Sequence, residues 1–301
     1  MGHARKITDL SDKPLRLPDG RLMGYAQYGD AGGRPVLAIH GTPGSRIMMQ
    51  PADQFASQNG IRLIAPDRAG YGHSSNCPDT SFTQWVDDIA VLLDFLKVDQ
   101  FWLFGVSGGG PFATALAALM PQRVIGLALV SPVGIFDQEV RQSWSWRHRV
   151  LFSLLPSHPA LTKPVFTVAR QLLLLAPYPF LKIFSFFLSS PDRLILNDPH
   201  HQEALLAAFR DGVASGVSGV LEDLRLFANS WQLPLEKIDM KVVLWQGSKD
   251  FMVPETAAFK LANSFADVEI IRLPGQGHFW IFEHFEEVLT HLVALPREVR
   301  P

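Results

Sequence analysis

Residues 101–120 read Phe-Trp-Leu-Phe-Gly-Val-Ser-Gly-Gly-Gly-Pro and continue as an alanine- and leucine-rich run to Met120. An apolar strand, a glycine-dense turn and a good helix former follow one another without a break. A serine lifted out on a sharp, strained turn between strand and helix needs neighbours that lack a Cβ, and Gly105-Val106-Ser107-Gly108-Gly109 supplies them. The helix that follows aims its first free N–H groups back towards Ser107, so negative charge forming there meets a positive dipole end. Pro111 costs little in a first helical turn, where an N–H has no partner to lose. Gly-x-Ser-x-Gly alone also fits a tight structural turn; the strand before it and the helix after it make Ser107 a candidate nucleophile.

The rest of the chain alternates in the same way. Runs at 35–39, 61–65, 101–104, 124–130, 241–245 and 268–273 read as strands, and the first, short, apolar and bounded by turn residues, suits a strand buried on both faces. Helical stretches are expected at about 47–57, 82–97, 254–265 and 282–295. In the second of these Trp85, Ile89, Leu92, Leu93 and Leu96 lie near helical spacing, with Asp87, Asp88 and Asp94 on the other side. Residues 14–28 read as two short strands joined at Pro18-Asp19-Gly20, an antiparallel edge. The predicted class is α/β: a mostly parallel twisted sheet with helices on both faces, whose ligands gather past the C-terminal strand ends.

The alternation stops between 135 and 235, where Trp144, Trp146, an apolar portion at 172–188 and polar helical stretches near 203–210 and 222–227 stand instead. A membrane-spanning helix does not fit. The room between Arg170 and Lys182 is far short of about 20 residues and contains Pro177 and Pro179. Loose interfacial contact stays open. The expected organisation is a core of residues 1–134 and 236–301 carrying a helical cap or lid at 135–235.

Bulk properties narrow the function classes. With 47% hydrophobic and 19% charged residues among 301, the chain fills a core rather than staying disordered. A net charge of -2 argues against a nucleic-acid binder, which needs a basic face. Residues 1–9 carry no apolar segment after their positive charges, and Lys6 breaks a myristoylation pattern at Gly2. Cys77 is the single cysteine and makes no intrachain bridge. A cytoplasmic setting is the default.

A serine hydroxyl needs a base within reach and an acid to hold that base in the right tautomer. Of ten histidines, His278 is best placed, on a glycine-flanked loop after the last strand. His284 and His291 share a helix with Glu283, Glu286 and Glu287 and read as part of a solvated face. His200-His201 has no matching ligands around it to suggest a metal. Asp250 follows the strand at 241–245, and the order Ser107, Asp250, His278 is the one such an architecture demands. Asp137 is the fallback acid, with Glu222 and Asp223 behind it. The oxyanion needs two fixed N–H donors: Gly108, after the nucleophile, and Thr42 in His40-Gly41-Thr42-Pro43-Gly44, since Pro43 has no N–H. His40 reads as a structural residue that pins this loop.

With these residues in place the chain resembles the α/β-hydrolase superfamily. The matching segments are His40-Gly41-Thr42-Pro43-Gly44, Pro66-Asp67-Arg68-Ala69-Gly70-Tyr71-Gly72-His73-Ser74, Gly105-Val106-Ser107-Gly108-Gly109, Gly247-Ser248-Lys249-Asp250 and Gly277-His278. The resemblance implies Ser107 as nucleophile, Asp250 as acid, His278 as base, and the Thr42 and Gly108 amides as oxyanion hole, with Asp67 and Arg68 bracing the site. Val106 replaces the polar or aromatic residue often found there. A serine at 107 argues against the dehalogenase and epoxide hydrolase branches, whose covalent ester needs a carboxylate nucleophile.

The expectation is a carboxylesterase-like serine hydrolase (EC 3.1.1) that cleaves a small, partly hydrophobic ester or acyl substrate with no cofactor and no metal. A carbon–carbon bond hydrolase, a perhydrolase and an aminopeptidase use the same triad, and a small-ligand-binding module on the same fold is the alternative of another class. Oligomeric state is not legible.

Overall fold

The computed structural model describes residues 14–296; the readings made on residues 1–9 and the outer ends of the expected core lie outside the described residues. Among the described residues nine strands form: β1 (Leu15–Arg16), β2 (Leu22–Met23), β3 (Tyr25–Gly29), β4 (Arg34–Ile39), β5 (Ile61–Pro66), β6 (Phe101–Val106), β7 (Val124–Val130), β8 (Val242–Gly247) and β9 (Val268–Leu273). β1 and β2 make the expected antiparallel pair. The other seven form one sheet in the order β3-β5-β4-β6-β7-β8-β9, parallel except for β3, which runs antiparallel to β5 at the edge. β6, β7 and β8 are buried at every position, which is why they read as unbroken apolar runs rather than alternating ones.

Helices cover both faces. α1 (Asp53–Gln58) and the C-terminal α13 (Phe285–Ala294) lie against one, burying Ala56, Val288 and Leu292 on Val36, Phe104 and Trp245. On the other, α2 (Phe82–Phe95), α3 (Gly109–Leu119) and α12 (Glu255–Ala262) bury Ile89, Leu116 and Ala258 with Leu37, Leu103 and Leu244. Sheet residues one apart thus point to opposite clusters, as the pleat requires.

Two expectations need correction. Asp88 is not on a solvated face: it is 8% exposed and takes both Arg21 Nη atoms at 2.7 Å. Helical spacing placed it at the flank of α2, but the turn between β1 and β2 folds over that flank and brings a bidentate partner. The last helix does not begin at 282. A 3-10 turn spans His278–Glu283, and α13 starts at Phe285.

Between β7 and β8 the chain is mostly helical from 138 to 228. α4 (Gln138–Gln142) and α5 (Trp146–Arg149) lead through a π-helical turn (Val150–Leu154) to α6 (Leu155–Ser157), α7 (Pro159–Leu175), α8 (Pro177–Ser185), α9 (Ser190–Ile195), α10 (Pro199–Gly212) and α11 (Ser218–Ala228). α7 and α8 break at Ala176 and Pro177, and no helix among the described residues is long and apolar enough to cross a membrane. Phe152, Leu173, Leu181 and Leu188 of this segment belong to the same core cluster as the α2 and α3 side of the sheet.

Candidate active site

β6 delivers Ser107 to the C-terminal edge of the sheet on a backbone with φ +53°. That left-handed conformation is costly for a residue with a Cβ and persists only where the surroundings hold it. Three backbone bonds do so: the Ser107 N–H donates to Val130 O, and its carbonyl accepts from Gly110 N at 2.9 Å and Val133 N at 3.0 Å.

The loops after β8 and β9 meet this serine. Ser107 Oγ lies 2.9 Å from His278 Nε2, and His278 Nδ1 lies 2.8 Å from Asp250 Oδ2. The Nδ1–H tautomer serves both contacts, donating to the carboxylate and leaving Nε2 to accept from the hydroxyl. Asp250 is itself fixed, since its Oδ1 accepts from the Met252 and Val253 amides and Gln246 Nε2 donates to Oδ2. Burial by itself would lower the His278 pKa. The Asp250 charge, its hydrogen bond and the Asp192 charge outweigh burial and hold it above the ordinary histidine value.

Asp192 is the residue that sequence reasoning missed. It lies on α9, fully buried; its Oδ1 accepts the Phe279 N–H at 2.7 Å and its Oδ2 accepts the Ser189 hydroxyl at 2.6 Å. The carboxylate closes over Gly277, where any Cβ would collide with it, so the glycine before His278 is a condition of this contact. Ser189-x-x-Asp192 carries the sequence signature of a capping box, but that signature says nothing of which loop the acid faces.

Thr42 and Gly108 come together at the mouth of β4. A Cβ at Gly108 would strike the Thr42 side chain and crowd the Thr42 amide, so glycine lets the two backbone segments close. Turn and loop bonding among the described residues gives neither N–H a backbone acceptor.

Asp223, expected only as a remote acid candidate, clamps this loop from α11. Its Oδ2 accepts from Arg68 Nη2 at 2.6 Å, from the Tyr71 hydroxyl at 2.7 Å and from the Thr42 hydroxyl. Arg68 also donates to Gly41 O and to the carbonyl of His40. His40 is buried, with its Nδ1 2.8 Å from Gly41 O and its Nε2 accepting the Arg68 amide. Burial, with the Arg68 charge beside it, drives its pKa well below the usual value. The neutral ring pins the loop and faces no nucleophile. Asp67 receives the Arg46 amide and guanidinium and the His73 amide, which matches the bracing role expected of it.

The other candidates fall elsewhere. Asp137 caps α4 and pairs with Lys260 at 2.9 Å, and Glu222 pairs with Arg225. His201 bonds Ile195 O, and no group of metal-binding side chains occurs among the described residues. Glu283, Glu286 and Glu287 are exposed as expected. His284 is not part of their solvated face, being half-buried, stacked on Trp280 and bonded to its carbonyl.

A cavity of about 180 Å³ opens at Ser107 Oγ, between the strand ends and the 135–235 helices. Phe152, Phe166, Phe184, Phe209 and Leu224 come from the helices, Val133, Met252 and Phe279 from the core loops, and the lining holds no Asp, Glu, Lys or Arg.

The sequence profile described as alpha/beta hydrolase fold matches residues 34–285. A 2-hydroxymuconate semialdehyde hydrolase of Pseudomonas putida is 26% identical over 270 residues, 84% of each chain. A probable proline iminopeptidase of Leptolyngbya boryana is 25% identical over 273 residues, again 84% of each. Among solved structures, an esterase from Exiguobacterium antarcticum superposes with a TM-score of 0.68 over 93% of this chain and 98% of its own, at 22% identity, a likeness of fold.

Proposed function

From the premise that the chain belongs to the α/β hydrolase fold family, we propose that it is a serine hydrolase cleaving a small, partly hydrophobic carboxylic ester through an acyl-enzyme. The observation that carries this is the chain of hydrogen bonds Ser107–His278–Asp250 ending in an apolar cavity. Ser107 Oγ attacks the ester carbonyl while His278 Nε2 takes its proton, and Asp250 holds the imidazolium that forms. The oxyanion is met by the Thr42 and Gly108 N–H groups. The tetrahedral adduct collapses, the alcohol leaves with the proton from His278, and a water deprotonated by His278 releases the acid. Residues 135–235 act as the cap that closes the acyl pocket.

The cavity chemistry supports a neutral acyl group. Its volume is below the about 300–1,000 Å³ of pockets that enclose drug-sized ligands, and a substrate ammonium or carboxylate finds no counter-charge in the lining. That disfavours an aminopeptidase. The likeness to a 2-hydroxymuconate semialdehyde hydrolase favours a second reading, carbon–carbon cleavage by the same serine, which ranks below the ester because the carboxylate of that substrate would also find no counter-charge in the lining. A time course with p-nitrophenyl esters of increasing chain length tests both. Turnover with a preferred short chain, lost on the order of 10³- to 10⁶-fold in Ser107→Ala, supports the ester reading. Activity retained in that variant sinks both, and silence with esters alongside cleavage of 2-hydroxymuconate semialdehyde selects the second.

A further inference from the structure

Twelve of the fourteen large hydrophobic side chains that stand exposed among the described residues lie between 146 and 194, so the outer surface of this protein is apolar in one segment alone. On α7 they fall at Leu161, Val165, Val168 and Leu175, with half-exposed Leu172 completing a solvent-facing stripe at helical spacing. α8 packs on α7 and turns Ile183 outward, and Phe186 and Phe187, just past its end, stand exposed as well. Both helices also send a side chain inward to the cavity, Phe166 and Phe184. They are apolar on both faces, and the outer one stands exposed among the described residues.

Charge is segregated to the same place. Although the whole chain is slightly acidic at -2, the stretch 146–194 carries Arg147, Arg149, Lys163, Arg170, Lys182 and Arg193 against a single acid, Asp192, which is buried. Among the described residues none of these six cations is in an ion pair, whereas Arg21, Arg46, Arg68, Arg123, Lys241 and Lys260 of the remaining chain each hold an acid. Trp146 and Tyr178, both more than half exposed, add rings with one apolar and one polar end, the kind that settle at a membrane–water boundary. Exposed apolar side chains interspersed along the chain with the exposed cations Arg149, Lys163, Lys182 and Arg193 complement an anionic bilayer, where apolar groups enter the acyl boundary and cations meet phosphate. A second copy of this chain fits the face poorly, because it would set cations against cations.

We propose that the outer face of α7 and α8 docks the protein on the surface of an anionic phospholipid membrane, peripherally and without a spanning segment. This rests on the surface alone and not on the chemistry assigned to Ser107.

Sedimentation with vesicles of phosphatidylcholine, with and without phosphatidylglycerol, tests it. The full chain should bind the mixed vesicles at least about tenfold more tightly than the neutral ones, and the preference should shrink as salt is raised. Val168→Glu with Phe186→Glu should abolish vesicle binding while leaving the far-UV circular dichroism spectrum and the thermal midpoint unchanged, which shows that the variant folds. Lys163→Glu with Lys182→Glu should erase the preference for anionic vesicles. Three outcomes overturn the proposal: no binding to either vesicle; binding to soluble polyglutamate and not to vesicles, which indicates an acidic protein partner; or a dimer in ultracentrifugation that Val168→Glu with Phe186→Glu dissociates.

Discussion

Asp250, from the core, bonds His278 and Asp192, from the helical segment, bonds the neighbouring Phe279 amide, and both carboxylates favour the protonated form of His278. A general base works only when neutral, so if His278 acts as proposed, kcat/KM should rise with pH through its pKa, which lies above the ordinary 6.5. Asp192→Asn keeps an acceptor for the Phe279 amide and removes one negative charge. The acidic limb of kcat/KM should therefore move to lower pH, while thermal stability changes little. A limb that stays in place would show that Asp192 staples the loop without tuning the base. His40 illustrates the opposite case: buried beside a guanidinium, it is neutral in the fold and titrates in the unfolded chain. The unfolded state then binds more protons, so His40 costs stability as pH falls below about 6.5.

At the level of elements, α11 and α7 each hold one side of the site. α11 presents Asp223 to Arg68, Tyr71 and Thr42, and both ion-pair partners are almost fully buried. Asp223→Ala leaves the Arg68 guanidinium without its counter-charge and should destabilise the protein by about 3–5 kcal/mol. It also frees the Thr42 loop, so kcat should fall by about tenfold or more with KM less affected, since a lost oxyanion donor acts on the transition state. Thermal denaturation beside steady-state kinetics reads both effects. α7 contributes Phe166 to the cavity wall. Phe166→Ala lengthens the acyl pocket, and the preferred p-nitrophenyl ester should shift to a longer chain. An unchanged profile would place the acyl group elsewhere in the cavity.

For the whole molecule, the helices at 135–235 share one hydrophobic cluster with α2, α3 and the sheet rather than owning a separate core. Tryptophans report from both parts, Trp144 and Trp231 with the helices and Trp102 and Trp245 in the sheet. Unfolding in urea should therefore follow one transition, with tryptophan fluorescence and far-UV circular dichroism superimposing; two midpoints would show the helical segment melting alone. The positions of the central strands along the chain and the elbow at Ser107 were legible in the sequence because a strand buried on both faces must be apolar throughout, and a strained turn must shed its Cβ atoms, whereas the order of the strands in the sheet came from the structure alone. Asp250 and His278 were legible as well, since each follows a recognisable strand with a glycine-marked turn. Asp88, Asp192 and Asp223 were not. A carboxylate is written the same way whether it faces water or a buried guanidinium, and its partners, Arg21, the loop before Phe279 and Arg68, lie 67, 87 and 155 positions away. Local periodicity thus determined the sheet and the elbow of this protein, while only the packing of distant segments decided which acids are buried and what they hold.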